Sequence, residues 1–157
     1  MHPTAPINMN GIDHRPLVPG MAFMFDTTLA TVRMVMSGVF QEYPELKLIV
    51  PHTGGFMPFI RGRVGRMIDA WTSPDDWADL SDSSQVYFDK IYLDTVAHSP
   101  EALEYCYKLY GADKLLYGTD HPFAHFEVFN EMIDNLECSE SDRELINHGN
   151  AEKLLGL

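Results

Sequence analysis

The chain has 157 residues, of which 45% are hydrophobic and 22% are charged, and this composition is globular rather than disordered. Eleven basic and 23 acidic residues give a formal net charge of −12, which excludes nucleic acids and anionic membranes as partners. The sequence has no run of about 18 apolar residues, and its opening residues have no apolar stretch, so we expect neither a membrane span nor a secretory signal. Its two cysteines are too few for a disulfide scaffold, so we expect a reducing, cytoplasmic setting.

The predicted elements of the first half are an irregular segment, a helix, a strand and a second helix. Proline and glycine interrupt the first 25 residues and predict no regular structure there. Helical periodicity then runs from Leu29 to Phe40, with Asp26 or Thr27 as the cap and Pro44 at the end. A buried strand is predicted at 46–50. The apolar face of the second helix is predicted to carry Phe56, Phe59, Ile60, Met67, Ile68 and Trp71.

The second half continues the alternation. Residues 72–84 are polar and predict an exposed loop or a short helix. Strands are predicted at 91–93 and 115–117, and helices after Ser99-Pro100, at 126–136, and after a capping box of Ser141 and Glu144. Strands that alternate with helices predict a parallel α/β sheet, and no boundary interrupts residues 1–157, so we expect a single domain.

Chain length limits the architecture. A complete (β/α)8 barrel needs about 250 residues, or roughly 31 for each unit. A chain of 157 residues therefore supplies about five units at most, and three are clear. The pattern alone leaves two architectures open, an open α/β sheet and part of a barrel.

Polar side chains follow the predicted strands where each strand ends. His52 follows the first strand, Asp94 and His98 follow the second, and Asp120 follows the third. His2 lies at the start of the chain, where a preceding strand would end. Because the carboxyl ends of parallel strands meet at one edge, we expect these residues to lie close together. Imidazole and carboxylate groups in such a cluster favour a divalent metal, with zinc, manganese and iron as candidates.

Structural interpretations stand beside these functional ones. A lone histidine after a strand is usually a hydrogen-bonded structural residue, and His98 can cap the helix that follows it. Cys106 lies on an amphipathic helix and is predicted to be a core residue rather than a nucleophile. The phosphate-binding loops, the Gly-x-Ser-x-Gly motif and the Cys-x-x-Cys motif are absent from the sequence.

Five segments together resemble one known family. They are His2-Pro3, SGVFQEYPELKLIVPHTGGFMPFIRGRV (37–64), YLDTVAHSPEAL (92–103), GADKLLYGTDHPF (111–123) and GNAEKLLGL (149–157). In this order they resemble the amidohydrolase-related family, particularly its metal-dependent decarboxylases similar to aminocarboxymuconate-semialdehyde decarboxylase and resorcylate decarboxylases. The resemblance covers nearly the whole chain.

The resemblance implies a fold and roles for residues. It implies the C-terminal half of a (β/α)8 TIM-type barrel, with parallel strands and covering helices. His2 and Asp120 resemble metal ligands, and His52 and Asp120 resemble catalytic residues. Arg63 resembles an arginine that in some relatives reaches a neighbouring subunit's site to hold substrate, although a surface ion pair would also explain it. We assign His98 to substrate binding as well.

The chain also departs from the family pattern. Relatives carry a His-x-His pair on their first strand, and no His-x-His occurs in these 157 residues. We therefore expect a fragment that is inactive alone, belonging to a zinc or manganese enzyme that decarboxylates a small carboxylic acid. Its expected partner is a missing N-terminal half or another copy. Alternatives are a hydrolase of an ester, lactone, amide or carbon–carbon bond on the same metal site, a non-catalytic half-barrel and a small open α/β binding module.

Overall fold

The computed structural model describes residues 1–3, 12, 14–71 and 77–157. Their backbone divides into two compact units. Unit 1 comprises Met1–Leu48 and Gly54–Ile91, and unit 2 comprises Ile49–Thr53 and Tyr92–Leu157. A single domain over residues 1–157 stays a prediction. Within the described ranges, no helix combines the length and the apolar character that crossing a bilayer requires.

Unit 1 is helical. Its helices are α1 (Phe23–Met36), α2 (Val39–Glu42), α3 (Met57–Trp71) and α4 (Ser84–Phe88). A π-helical turn, Val18–Ala22, leads directly into α1, so the prediction of an irregular segment up to residue 25 is wrong from residue 18 onward. Pro19 is tolerated there because the first turn of a helix needs no backbone N–H donors. Because α1 already begins at Phe23, Asp26 and Thr27 lie inside the helix rather than at its cap.

The buried face of α3 differs from the predicted one. Phe59 is 85% exposed and Trp71 is 77% exposed, whereas Arg61 is buried. The Arg61 side chain donates from Nε to Oε1 of Gln85 at 3.2 Å and forms an ion pair with Asp89. Apolar periodicity does not predict this face, because it assigns charged residues to the surface. Here the buried guanidinium is stabilised by polar partners on α4 and directly after it.

Unit 2 is built on a parallel sheet of three strands in the order β1 (Ile49–Val50), β2 (Tyr92–Asp94) and β3 (Leu115–Leu116). Ile49 lies opposite Tyr92, and Asp94 lies opposite Leu116. The three predicted strands are therefore confirmed, although residues 46–48 lie outside β1. Val50, Leu93 and Leu115 are fully buried, which is why each strand appears in the sequence as a short apolar run.

The helices of unit 2 follow the strands. They are α5 (Pro100–Tyr110), α6 (Phe126–Asp134), α7 (Glu140–Glu144) and α8 (Asn150–Leu155), with a π-helical turn at Leu145–Gly149. Ser99 stands at the cap position of α5 and Pro100 at its start, as predicted. The cap of α7 is Ser139, whose Oγ accepts from the N–H of Asp142 at 3.1 Å, so the predicted capping box at Ser141 is wrong.

Two glycines of α3 offer a matched test of the packing in unit 1. A Cβ on Gly62 meets nothing within 4 Å, so Gly62→Ala should stabilise the helix by about 0.5–1 kcal/mol. A Cβ on Gly65 would lie 1.9 Å from Nε2 of Gln85 and 2.8 Å from Oγ of Ser84. Gly65→Ala should therefore lower the free energy of unfolding, by about 1–3 kcal/mol. Urea unfolding of both variants measures the difference, and equal effects would contradict the close approach of α4 to α3.

Candidate active site at the carboxyl ends of the strands

The turn after β1 places His52 and Thr53 in the left-handed region of backbone space. Their φ angles are 54° and 51°, and the 3₁₀ turn His52–Gly54 follows Pro51 directly. This conformation is uncommon for residues other than glycine and costs about 1–3 kcal/mol each. Such a turn persists only when its surroundings hold it, so its partners identify what positions His52.

Asp94, the last residue of β2, holds this turn. Its Oδ1 accepts the N–H of Thr53 at 2.8 Å and the N–H of Val96 at 3.1 Å. Burial raises the pKa of Asp94 above its ordinary value, against the opposing effect of hydrogen bonds from the N–H groups of Thr53, His52 and Val96 and the attraction of His52. One carboxylate thus links the end of β1 to the loop after β2.

Thr95 makes the equivalent link between β2 and β3. Its buried Oγ1 donates to the carbonyl of Gly118 at 3.2 Å and accepts the N–H of Gly118 at 3.1 Å. A Cβ on Gly118 would lie only 3.1 Å from the Cβ of Asp94, so a larger residue would separate the two chain segments. Asp120 follows two residues later with a φ of 54°, again left-handed.

These linked turns bring His52 and Asp120 together, as the sequence predicts. Nε2 of His52 lies 3.8 Å from Oδ2 of Asp120, and the two side chains are 10% and 20% exposed. Two ligands of one transition-metal ion, each about 2.1 Å from it, lie at most about 4.2 Å apart. The imidazole and carboxylate therefore fit two positions around a divalent cation. At this distance a small shift, or one bridging water, would also let them exchange a proton.

The other three candidate residues have the following local environments. His98 follows β2 in the same unit, is exposed, has a φ of 56° and packs its ring edge-on against Phe129 at 5.3 Å between centroids. His2 belongs to unit 1, where its Nδ1 lies 3.0 Å from the carbonyl oxygen of Pro3. Arg63 is exposed on α3. It borders a groove of about 460 Å³ whose other lining residues are Val32, Met36, Val64, Met67, Ile68, Trp71 and Trp77. The functional roles of all five candidates stay predictions.

Asp94 ends a predicted strand, but its role in holding the His52 turn is not predicted from the sequence. The available signal was a carboxylate at a strand end, opposite a loop that begins with His-Thr-Gly-Gly. Four consecutive residues with positive φ, beginning at His52, leave backbone N–H groups that need an acceptor. A neighbouring strand end is where such an acceptor can lie.

Cys106 lies beneath the turn and has a structural environment. It is 3% exposed, and its Sγ lies 3.8 Å from the carbonyl oxygen of Thr53. Burial raises the pKa of the Cys106 thiol to about 11, with a further contribution from Asp94 and an opposing one from Thr53. Its burial confirms the prediction of a core residue.

The chain matches the family model described as Amidohydrolase over residues 5–157. It belongs to this amidohydrolase family. It is 35% identical over 158 residues to a 2-amino-3-carboxymuconate-6-semialdehyde decarboxylase of Dictyostelium discoideum, covering 97% of this chain and 44% of the relative. It is 32% identical over 143 residues to a gamma-resorcylate decarboxylase of a Polaromonas species, covering 90% and 44% respectively. The chain thus spans about half the length of the curated relatives it matches.

Solved structures show the same fold. The chain superposes with a TM-score of 0.90 on a 5-carboxyvanillate decarboxylase of Sphingomonas paucimobilis, at 23% identity, over 100% of this chain and 48% of the other. It superposes at 0.88 on a Polaromonas dihydroxybenzoic acid decarboxylase solved with bound manganese and 2-nitroresorcinol, at 29% identity, over 100% and 49%. The predicted family and the half-barrel fold class are confirmed.

Replacing Asp94 tests its role in the turn. Asp94→Ala removes the acceptor for two N–H groups and should lower the free energy of unfolding by about 1–3 kcal/mol. Asp94→Asn keeps an acceptor oxygen and removes the charge. Since the folded-state pKa of Asp94 is raised, its contribution to stability is greatest below the ordinary pKa of 3.8 and falls as pH rises through the folded value.

The wild-type chain should therefore lose stability relative to Asp94→Asn as pH rises. Urea unfolding with a chelator present, between about pH 4 and pH 8, measures this difference. A difference that does not change with pH would contradict the burial of a titrating carboxyl.

The two cysteines provide a second test. The thiolate is the reactive form, so at pH 8 a thiol reagent should modify the half-buried Cys138 about 100-fold faster than Cys106 in the folded chain. In urea the two rates should become similar. Peptide mapping after timed alkylation gives both rates, and fast modification of Cys106 in the folded chain would contradict its packing beneath Thr53.

Proposed function

We propose that this chain supplies the C-terminal half of a metal-dependent decarboxylase, which removes carbon dioxide from a small aromatic acid without oxidation. The observation that carries the proposal is the pairing of His52 and Asp120 at 3.8 Å, on strained turns at the carboxyl ends of parallel strands. The relatives support it, because they are named as decarboxylases of aromatic or muconate carboxylates.

The proposed metal ligands of this chain are Asp120 and His2. Zinc or manganese suits an imidazole and carboxylate donor set, and manganese is the ion bound in two related structures. When bound, such an ion stabilises negative charge that develops on substrate oxygens. A catalytic site of this type normally takes three protein ligands, and no His-x-His occurs in this chain. The remaining ligands therefore come from a first barrel half, and the 157-residue chain alone is inactive.

The proposed chemistry is a proton transfer coupled to carbon–carbon cleavage. The bond between the ring carbon and the carboxylate breaks, carbon dioxide leaves, and the electron pair stays on the ring carbon. That carbon takes one proton, which Asp120 delivers. His52, whose Nε2 lies 3.8 Å from Oδ2 of Asp120, holds or returns the proton.

An anionic substrate needs a positively charged group near the site to bind it. The formal net charge of −12 repels an anionic acid, so a nearby arginine helps to hold the substrate carboxylate. We assign this role to Arg63, which is exposed on α3, acting in the site of a neighbouring copy. A homo-oligomer or a separate N-terminal half is the proposed partner, in a cytoplasmic setting.

Carbon dioxide release tests the proposal directly. The chain alone, with Mn²⁺ or Zn²⁺, should release none from 2,6-dihydroxybenzoate. The chain complemented by an N-terminal barrel half that carries His-x-His should release it. Asp120→Ala should lower this rate by about 10²–10³-fold or more, whereas Asp134→Ala, an exposed aspartate at the end of α6, should leave it unchanged.

Three results would contradict the proposal. Ester or lactone hydrolysis without carbon dioxide release would favour the hydrolase alternative. A complemented protein with no turnover of either kind and no stoichiometric metal would favour a non-catalytic half-barrel. Full activity of Asp120→Ala would remove the proposed ligand and proton donor.

A further inference from the structure

His98 has a combination of features that capping alone does not explain. It is a histidine at a φ of 56°, a conformation that glycine or asparagine adopts at lower cost. The cap position of α5 is the next residue, Ser99, so His98 lies outside the helix. The protein therefore keeps an imidazole where the backbone favours a smaller residue.

The imidazole of His98 is fixed on one side and open on the other. Its ring packs edge-on against the buried Phe129 of α6, at 5.3 Å between centroids. Across residues 1–3, 12, 14–71 and 77–157, no side chain or backbone group forms a hydrogen bond with the imidazole of His98. For comparison, the exposed His148 pairs with Glu152 at 3.2 Å. His98 is thus an ordered ring whose nitrogen atoms remain available to a ligand.

The position of His98 relates it to the candidate site. It follows β2, the middle strand of the sheet, while His52 and Asp120 follow the two flanking strands. Thr95, three residues before His98, is bonded to Gly118, two residues before Asp120. A chain of three residues spans at most about 11 Å, so His98 lies beside the same edge of the sheet.

We propose that His98 is a specificity residue, whose imidazole hydrogen-bonds an oxygen substituent on the ring of the aromatic acid. This inference rests on the proposed function and adds the substrate feature that the chain recognises. A neutral imidazole both donates and accepts, so it can pair with a hydroxyl group. An acid that lacks such a substituent leaves the imidazole without this bond and binds more weakly.

Two probes and three variants test the inference in the 157-residue chain with Zn²⁺. The probes are 2,6-dihydroxybenzoate and benzoate, and NMR signals of the histidine rings report binding. The dihydroxy probe should shift the His98 and His52 signals with one concentration dependence and leave His148 unshifted. The wild-type chain should bind it about tenfold more tightly than benzoate.

The variants separate recognition from backbone conformation. His98→Gly relieves the left-handed strain and removes the ring, so it should abolish the preference for the dihydroxy probe. His98→Gln restores a donor and should recover part of the preference. His148→Gln should behave as the wild-type chain. A His98→Gly variant that keeps the full preference would overturn the inference, because a purely structural role predicts that result.

Failure of this inference is distinguishable from failure of the proposed function. Probe-induced shifts at His52 without shifts at His98 would overturn only the role of His98. An absence of shifts at every histidine would also overturn the inference, whereas the proposed function is tested separately by carbon dioxide release from the complemented chain. Shifts at His98 in a chain whose complemented form releases no carbon dioxide would leave the recognition intact and overturn the decarboxylase.

Discussion

The hydrogen bonds of the Asp94 carboxylate are the interaction on which the site depends. A single Oδ1 accepts N–H groups from Thr53 and Val96, so it fixes the turn after β1 and the loop after β2 together. The pKa of this buried carboxyl is raised, which means that its charged form is held at a cost in free energy. This cost is offset by the position of His52, because Asp94 fixes the turn that carries it.

Backbone strain in unit 2 is concentrated beside the strand ends. His52, Thr53, His98 and Asp120 all have φ angles between 51° and 56°, and each lies in a segment that follows a strand. Conformations of this kind persist where the surrounding packing determines them, and they cluster at functional sites. In this chain Asp94 and Thr95 provide that packing on the two sides of β2, while Cys106 lies beneath the turn.

The sequence was sufficient for the sheet and for the pairing of His52 with Asp120. Short apolar runs marked the buried strands, and the rule that parallel strands present their carboxyl ends at one edge placed the polar residues together. The same reasoning failed where a tertiary partner decides the outcome. Arg61 can be buried because its guanidinium hydrogen-bonds Gln85 and forms an ion pair with Asp89. Apolar periodicity cannot reveal such partners.

Local signals were weakest at helix ends and turns. Ser139 and Ser141 both fit a cap by residue type, and only the observed hydrogen bond to Asp142 distinguishes them. The left-handed turn at His52 could not be predicted for a related reason, since the β-branched Thr53 intrinsically disfavours this conformation. Its conformation depends on an acceptor that lies 41 residues away in the chain.

Paramagnetic relaxation by Mn²⁺ tests the central claim, that the ends of β1 and β3 form one site, where Asp120 binds a cation and His52 lies beside it. The amide NMR signals of the 157-residue chain are recorded as Mn²⁺ is added in small amounts. Selective broadening should begin at 52–53, at 119–121 and at residue 2, before the rest of the sequence responds. Broadening that begins instead along the acidic helices α6 and α7, with 52–53 and 119–121 still sharp, would contradict the claim.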